Sequence, residues 1–333
     1  MPWNIVGHEW AVELLKRDLA QGRVRHAYLF TGPEGVGKRT LVAEFARALL
    51  CEGSEPPCGQ CRHCKLHARA SHPDLLMVAP EVSGKHVRAA KVKIEPVRRL
   101  IYDLTLKPVE AQRRVACLVN FGAANDEAQN ALLKTLEEPP GSAVMLVTAE
   151  RAEDLLPTIV SRCEGVALRP LPLATVQDAL VLRWDTPRER AEQLAHLSGG
   201  RLGWAVRMVQ DGSALEARRE RMEDLRRLLR GSRVERMAYA ERLAQAGSVD
   251  RMQETLELWL GFWRDVMLAS AGATAPLVNV DCETEIRHLA GTVPPALAEQ
   301  VLKAIRQTGE WLEKNVNARL ALEVMLLDWP RIA

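Results

Sequence analysis

The sequence predicts an α/β first half, built on a parallel sheet with helices on both faces, followed by an all-helical remainder. Three observations predict this. Apolar runs of strand length alternate with amphipathic helices over the first 170 residues, and alternation of that kind buries a parallel sheet between helices. A glycine-rich turn joins the first of those runs to a helix. After Pro170-Leu171-Pro172 the strand signals stop and helical periodicity continues to the end.

Taken in order, Trp10 to Gln21 is amphipathic, with Ala11, Leu14, Leu15 and Leu19 on one stripe. His26-Ala27-Tyr28-Leu29-Phe30 is a short apolar run that ends in Gly and Pro, as a buried strand does. Thr40 to Leu50 reads as a helix. Arg114 to Val119 and Ala143 to Thr148 are two further buried strands. Between them Asp126 to Glu138 is a helix, stopped by Pro139-Pro140 because proline lacks the amide donor and clashes with the preceding turn. Residues 173 to 210 read as a few short helices. From Ala214 onward, Leu215, Met222, Leu225 and Leu229 share a stripe, with Arg218, Arg219, Arg226 and Arg227 on the remaining face. Thr255 to Ser270, with Trp259, Phe262, Trp263 and Met267, is apolar enough for an interior helix.

The 333 residues carry 45 Lys and Arg against 43 Asp and Glu, a net charge of +2, so the molecule as a whole is no electrostatic nucleic-acid binder. No apolar run approaches the roughly 18 residues of a membrane span. Met1-Pro2-Trp3-Asn4-Ile5 lacks the basic start and apolar core of a signal peptide, and the expected compartment is the cytoplasm.

Gly32-Pro33-Glu34-Gly35-Val36-Gly37-Lys38 has the register of a phosphate loop, between a strand and a helix. Such loops cradle phosphates with backbone amides, meet the terminal phosphates with the lysine and hold magnesium through the following hydroxyl. Here Arg39 stands at the hydroxyl position. Thr40 lies one residue on, rotated by about 100° around a helix. The strand ending at Val119 runs into Asn120-Phe121-Gly122, with no carboxylate before Asp126-Glu127. Gly32, Gly35, Gly37, Lys38 and Thr40 are thus the candidate nucleotide residues of a degenerate loop, poorly equipped for ATP with magnesium.

Four of the seven cysteines, Cys51, Cys58, Cys61 and Cys64, fall within fourteen residues as C-x6-C-x2-C-x2-C. Zinc takes four soft ligands tetrahedrally, and each C-x2-C places two thiolates on one turn. In a chain with no export signal, such a cluster predicts a structural zinc rather than a disulfide framework. His63 and His67 are competing ligands, but four cysteines already fill the shell.

The helix Asn130-Ala131-Leu132-Leu133-Lys134-Thr135-Leu136-Glu137-Glu138-Pro139-Pro140 and the tripeptide Ser161-Arg162-Cys163, with the loop and the cysteines, carry a family resemblance. The chain resembles bacterial clamp-loader subunits of the AAA+ class over essentially its whole length. The motor members (gamma/tau) keep the loop hydroxyl and an Asp-Glu pair where this chain has Val119 and Asn120. The chain therefore looks like the delta-prime type of the DNA polymerase III holoenzyme, which keeps the fold and is not expected to hydrolyse ATP.

The resemblance implies a RecA-like AAA+ domain over 1–170 with a zinc module near 51–64, a small helical lid over 171–212, and a helical collar over 213–333. It implies partners: gamma/tau and delta subunits in a five-membered ring, and through them the sliding clamp and primed DNA. By itself Arg162 reads as an ordinary surface arginine. The resemblance makes it a finger reaching the neighbouring motor subunit's ATP, with Ser161 and Cys163 as its motif. The family's sensor arginine has no clear counterpart: Arg201 is near, but the register puts Gly203 at that place. The alternatives are an active motor ATPase, favoured by Lys38, and a zinc-dependent nucleic-acid-binding protein, suggested by Arg62, His63 and Lys65 beside the cysteines.

Overall fold

The computed structural model describes residues 3–80, 92–245, 248–314 and 316–331. Met1 and Pro2 of the N-terminal segment considered above lie outside the described residues. The chain divides into two compact units, one of residues 1–179 with 200–204, the other of residues 180–199 with 205–333.

The first unit is an α/β layer structure. Its elements are α1 (Glu9–Ala20), β1 (Ala27–Thr31), α2 (Lys38–Leu50), α3 (Arg62–Ala68), β2 (Leu75–Val78), α4 (Ile94–Thr105), β3 (Arg114–Leu118), α5 (Asp126–Glu137), β4 (Ala143–Thr148), α6 (Pro157–Val160) and β5 (Glu164–Ala167). The strands form one parallel sheet in the order β2-β3-β4-β1-β5. Alternate residues of each strand face opposite sides of the sheet, and both sides are buried. Ala27, Leu29, Ala116, Leu118, Met145 and Val147 pack with Val97, Leu100 and Leu104 of α4 and Leu132 and Leu136 of α5. Tyr28, Phe30, Val115, Cys117, Val144 and Leu146 pack with Leu15 of α1 and Leu41, Val42 and Phe45 of α2.

The three central strands lie where the apolar runs predict them, because strands buried on both faces read as continuous apolar sequence. The two edge strands escape that signal. In β5, Val166 alone is buried, and β2 has only Val78 fully buried, with Met77 at the edge 55% exposed. Helix α4 also goes unannounced in the apolar pattern, although Val97, Leu100 and Leu104 form its buried stripe.

Beyond β5 the chain is helical: α7 (Leu173–Trp184), α8 (Arg188–Ser198), α9 (Leu202–Gln210), α10 (Gly212–Arg230), α11 (Arg233–Gln245), α12 (Val249–Ser270), α13 (Glu283–Ala290), α14 (Pro295–Glu313) and α15 (Ala318–Leu327). Among the described residues no helix is long and apolar enough to cross a membrane. The core of the second unit centres on α12, whose Trp259 and Trp263 are fully buried and meet Trp329 edge-on at centroid distances of 5.0 and 5.8 Å.

One expectation for this half is corrected. Arg218 does not share the exposed basic face of α10; it is 5% exposed and donates to Asn279 Oδ1 at 2.7 Å and Asp281 Oδ2 at 2.5 Å. Asn279 in turn is fixed by the fully buried carboxylate of Asp265, which accepts from the Val278 and Asn279 amides and from Asn279 Nδ2. A buried cation is tolerated here because each of its contacts is answered by an acceptor.

Candidate functional site

Three sites suggested by the sequence lie in the first unit. The phosphate loop joins β1 to α2, and its glycines are conformationally required: Gly32, Gly35 and Gly37 have φ of 142°, 78° and 117°, a region side chains rarely enter. The Gly32 amide donates to the Glu150 carbonyl at the end of β4 (3.0 Å). His8 Nε2 lies 3.0 Å from the Val36 carbonyl.

Lys38 does not reach outward. Its Nζ donates to the Gly32 carbonyl and to the Pro33 carbonyl at 3.0 Å, both within its own loop. Burial pushes its pKa down, against the opposing pull of the Glu150, Glu34 and Asp154 carboxylates. Arg39 and Thr40 are both exposed on the first turn of α2. Asn120, in the left-handed region at φ 51°, donates its amide to Thr148 Oγ1 at 2.7 Å.

A contact that local sequence reading does not supply covers the loop. The Gly203 amide donates to the Gly35 carbonyl at 2.7 Å, and a Cβ at Gly203 would lie 2.9 Å from that oxygen. Arg201 lies over the Trp204 ring, 5.9 Å from its centroid.

The cysteine cluster forms around the start of α3. The Sγ atoms of Cys51, Cys58, Cys61 and Cys64 all lie within 4.8 Å of one another, with Cys51 and Cys61 at 3.9 Å. Tetrahedral zinc with Zn–S near 2.3 Å requires S···S of about 3.8 Å. Backbone amides already point at the sulfurs: Gly53 and Cys58 to Cys51, Cys61 to Cys58, and Cys64 to Cys61, at 3.3–3.4 Å. The amides of Cys61 and Gln60 pull the Cys58 thiol down to about 6, whereas burial pushes Cys64 up to about 12 and raises Cys51. A cation among the four sulfurs would supply the charge that the buried thiolates lack. Gly53 leaves the room this packing needs, since a Cβ there would meet Cys58 Cβ at 2.6 Å. The donor set and its spacing fit one metal ion.

His63 turns away from the sulfurs. Its Nδ1 is 2.9 Å from His72 Nε2 and its Nε2 is 3.0 Å from Glu52 Oε1. The Asp74 amide donates to His72 Nδ1 at 3.0 Å. His72 must therefore carry its proton on Nε2 and donate to His63, which donates to Glu52. Burial, then the neighbouring His63, lowers the His72 pKa, in keeping with that neutral form. Arg62 forms a two-point pair with Glu110 (2.9 and 2.8 Å), and Trp3 Nε1 donates to the Pro56 carbonyl at 3.2 Å. The cysteine module is thereby tied to the sheet domain at three places.

Arg162 lies in the turn between α6 and β5, the edge strand of the sheet, with Ser161 before it and the half-buried Cys163 after it. Its guanidinium donates to the Thr158 carbonyl at 2.9 Å and to Glu137 Oε1 at 2.7 Å. Glu137 is a partner the sequence could not announce, being twenty-five positions away on another helix.

The family described as "DNA polymerase III, delta subunit" matches residues 7–172, and "DNA polymerase III, delta subunit, C terminal" matches residues 213–331. The DNA polymerase III subunit delta' of Pseudomonas aeruginosa is 36% identical over 231 residues, 67% of each chain. That of Bacillus subtilis is 26% identical over 320 residues, 95% of this chain and 94% of its own. The DNA polymerase III subunit tau/gamma of Haemophilus influenzae is 34% identical over 170 residues, but these are 50% of this chain and 24% of that one. The match to the tau/gamma subunit thus takes in half of this chain and about a quarter of that one, whereas the match to the Bacillus delta' takes in nearly all of both. The chain belongs to the delta' family of DNA polymerase III subunits.

Proposed function

We propose that this chain is a non-hydrolysing AAA+ stator of the replicative clamp loader. It assembles with gamma/tau and delta subunits to place the sliding clamp on primer-template DNA, working in the cytoplasm with the replisome. Its own phosphate loop does not hydrolyse ATP, and Arg162 acts in trans on the ATP of an adjoining motor subunit. Residues 1–170 are the AAA+ domain, 171–212 the lid and 213–333 the collar through which it assembles.

The observation that carries this reading is the state of Lys38. The one side chain of Gly32, Gly35, Gly37, Lys38 and Thr40 able to neutralise phosphate is spent on the loop's own carbonyls. Arg39, Val119 and Asn120 stand where magnesium and water would need a hydroxyl and two acids. The same chain keeps an arginine in a turn at the sheet edge. A planar, permanently charged guanidinium suits a γ-phosphate whose negative charge grows in the transition state.

The metal held by Cys51, Cys58, Cys61 and Cys64 is zinc, in a structural role. Four thiolates leave no open coordination position for catalysis. The module staples an insertion too small to build a core of its own.

The test is ATP hydrolysis by the assembled loader with clamp and primed DNA. Arg162→Ala is expected to lower turnover by on the order of 10³-fold at the site it serves, and Lys38→Ala to leave it near normal. Hydrolysis by the isolated chain, or its loss from the assembly with Lys38→Ala, would establish the motor reading instead.

A further inference from the structure

Arg162 is held before any partner arrives. Nη1 donates to the Thr158 carbonyl at 2.9 Å and to Ser161 Oγ at 3.4 Å, and Nη2 donates to Glu137 Oε1 at 2.7 Å. Glu137 is the last residue of α5, where outward-pointing carbonyls add partial negative charge to its carboxylate. The turn after α5 is closed by Pro139-Pro140 and α6 packs against α5, so the acceptors belong to ordered segments.

The geometry points to Glu137 as a positioning residue for Arg162: its carboxylate presets the guanidinium so that the finger meets a neighbour's phosphates already oriented. This rests on the reading of Arg162 as a trans-acting finger. An arginine has five N–H donors. The three contacts use three of them and leave two for a phosphate. The Arg162 side chain is 35% exposed and that of Glu137 52%. An exposed pair of this kind is weak, so it cannot outbid a triphosphate for the cation. It is strong enough to select one rotamer of a long side chain, and orientation before the encounter is what a positioned group contributes to rate.

The experiment uses the reconstituted loader with gamma/tau, delta, clamp and primed DNA, and reads kcat and KM for ATP. The chains compared are the natural one, Glu137→Gln, Glu137→Ala, Arg162→Ala and the double variant Glu137→Ala with Arg162→Ala. Glu137→Ala is expected to lower kcat by about twofold to fivefold, the size of one exposed charge-assisted contact, with KM unchanged. Glu137→Gln, which keeps an acceptor oxygen, recovers part of the loss. In the Arg162→Ala background, Glu137→Ala has no further effect, because a residue acting through Arg162 is silent without it.

An equal loss in that background would assign Glu137 a merely structural role and overturn the inference. So would an unchanged or raised kcat with Glu137→Ala alone, the latter meaning that the carboxylate restrains the finger. If Arg162→Ala itself leaves turnover untouched, the reading of Arg162 fails and the role of Glu137 falls with it.

Discussion

The Gly203 amide and the Gly35 carbonyl are joined across 2.7 Å, so the first turn of α9 rests directly on the phosphate loop. Both partners are glycines for a reason visible in the geometry. A Cβ on Gly203 would lie 2.9 Å from the Gly35 oxygen. A Cβ on Gly35, at φ 78°, would lie 2.9 Å from the Trp204 nitrogen. Here backbone meets backbone.

The first prediction concerns that contact. Gly203→Ala and Gly35→Ala each force backbone atoms apart, and Gly35→Ala adds left-handed strain. Each is expected to destabilise the chain by about 1–3 kcal/mol, read from urea unfolding. A change below a few tenths would mean that the loop and α9 separate freely.

The cysteine site predicts one zinc per chain purified without chelator, measured by elemental analysis. Cys58→Ser or Cys61→Ser should abolish it and lower Tm. Protons compete with metal for each thiolate, so zinc content should fall on acidification. Zinc retained in full in the Cys61→Ser variant would exclude this ligand set.

Asp74 anchors the segment before β3. Its fully buried carboxylate accepts from the amides of Val109, Glu110 and Ala111 at 2.7–2.9 Å. Burial raises its pKa, but those amides and Arg114 more than offset it and hold the group below its ordinary 3.8. An acid depressed in the folded state stabilises it above that ordinary value and loses the effect as pH falls through the folded pKa. Asp74→Asn, whose amide nitrogen would face a backbone donor, should cost about 2–4 kcal/mol near neutral pH. The gap between the two chains should narrow below about pH 4. A gap independent of pH would show that the charge is not responsible.

Arg236 is 3% exposed and donates to four carbonyls, those of Leu228, Leu326, Trp329 and Pro330, at 2.6–3.0 Å. It ties the end of α15 to the end of α10. A lysine has three donors on one nitrogen and cannot span four carbonyls spread along a planar fork. Arg236→Lys is therefore expected to destabilise by about 2–4 kcal/mol. Protease sensitivity at the C-terminal segment should rise with it, and an unchanged digestion pattern would count against the tether.

Much of the first unit was legible in sequence because its signals are local. Residues 27–30, 115–118 and 143–147 are apolar throughout because both faces of those strands are buried. Strands β2 and β5 were not legible, since at a sheet edge burial is partial and four residues carry little pattern. Arg218 misled for a related reason: its helical position belongs to a polar face, and it is buried by Asp281 and Asn279, some sixty residues away.

The sequence by itself determined the chemistry available to this protein. A glycine register before Lys38, four cysteines at fixed spacing, Val119 and Asn120 at the end of a strand, and Arg162 in its tripeptide are each written within a short stretch of chain. Only the tertiary structure decided how that chemistry is disposed. It turned Lys38 back onto Gly32 and Pro33, set Gly203 on Gly35, drew His63 away from the sulfurs toward His72, and seated Arg162 against Glu137. The physical reason is range. Turn geometry and ligand spacing follow from neighbouring residues. Which donor meets which acceptor depends on helix ends and loops brought together by burial of a shared apolar core, with no local pattern to announce them.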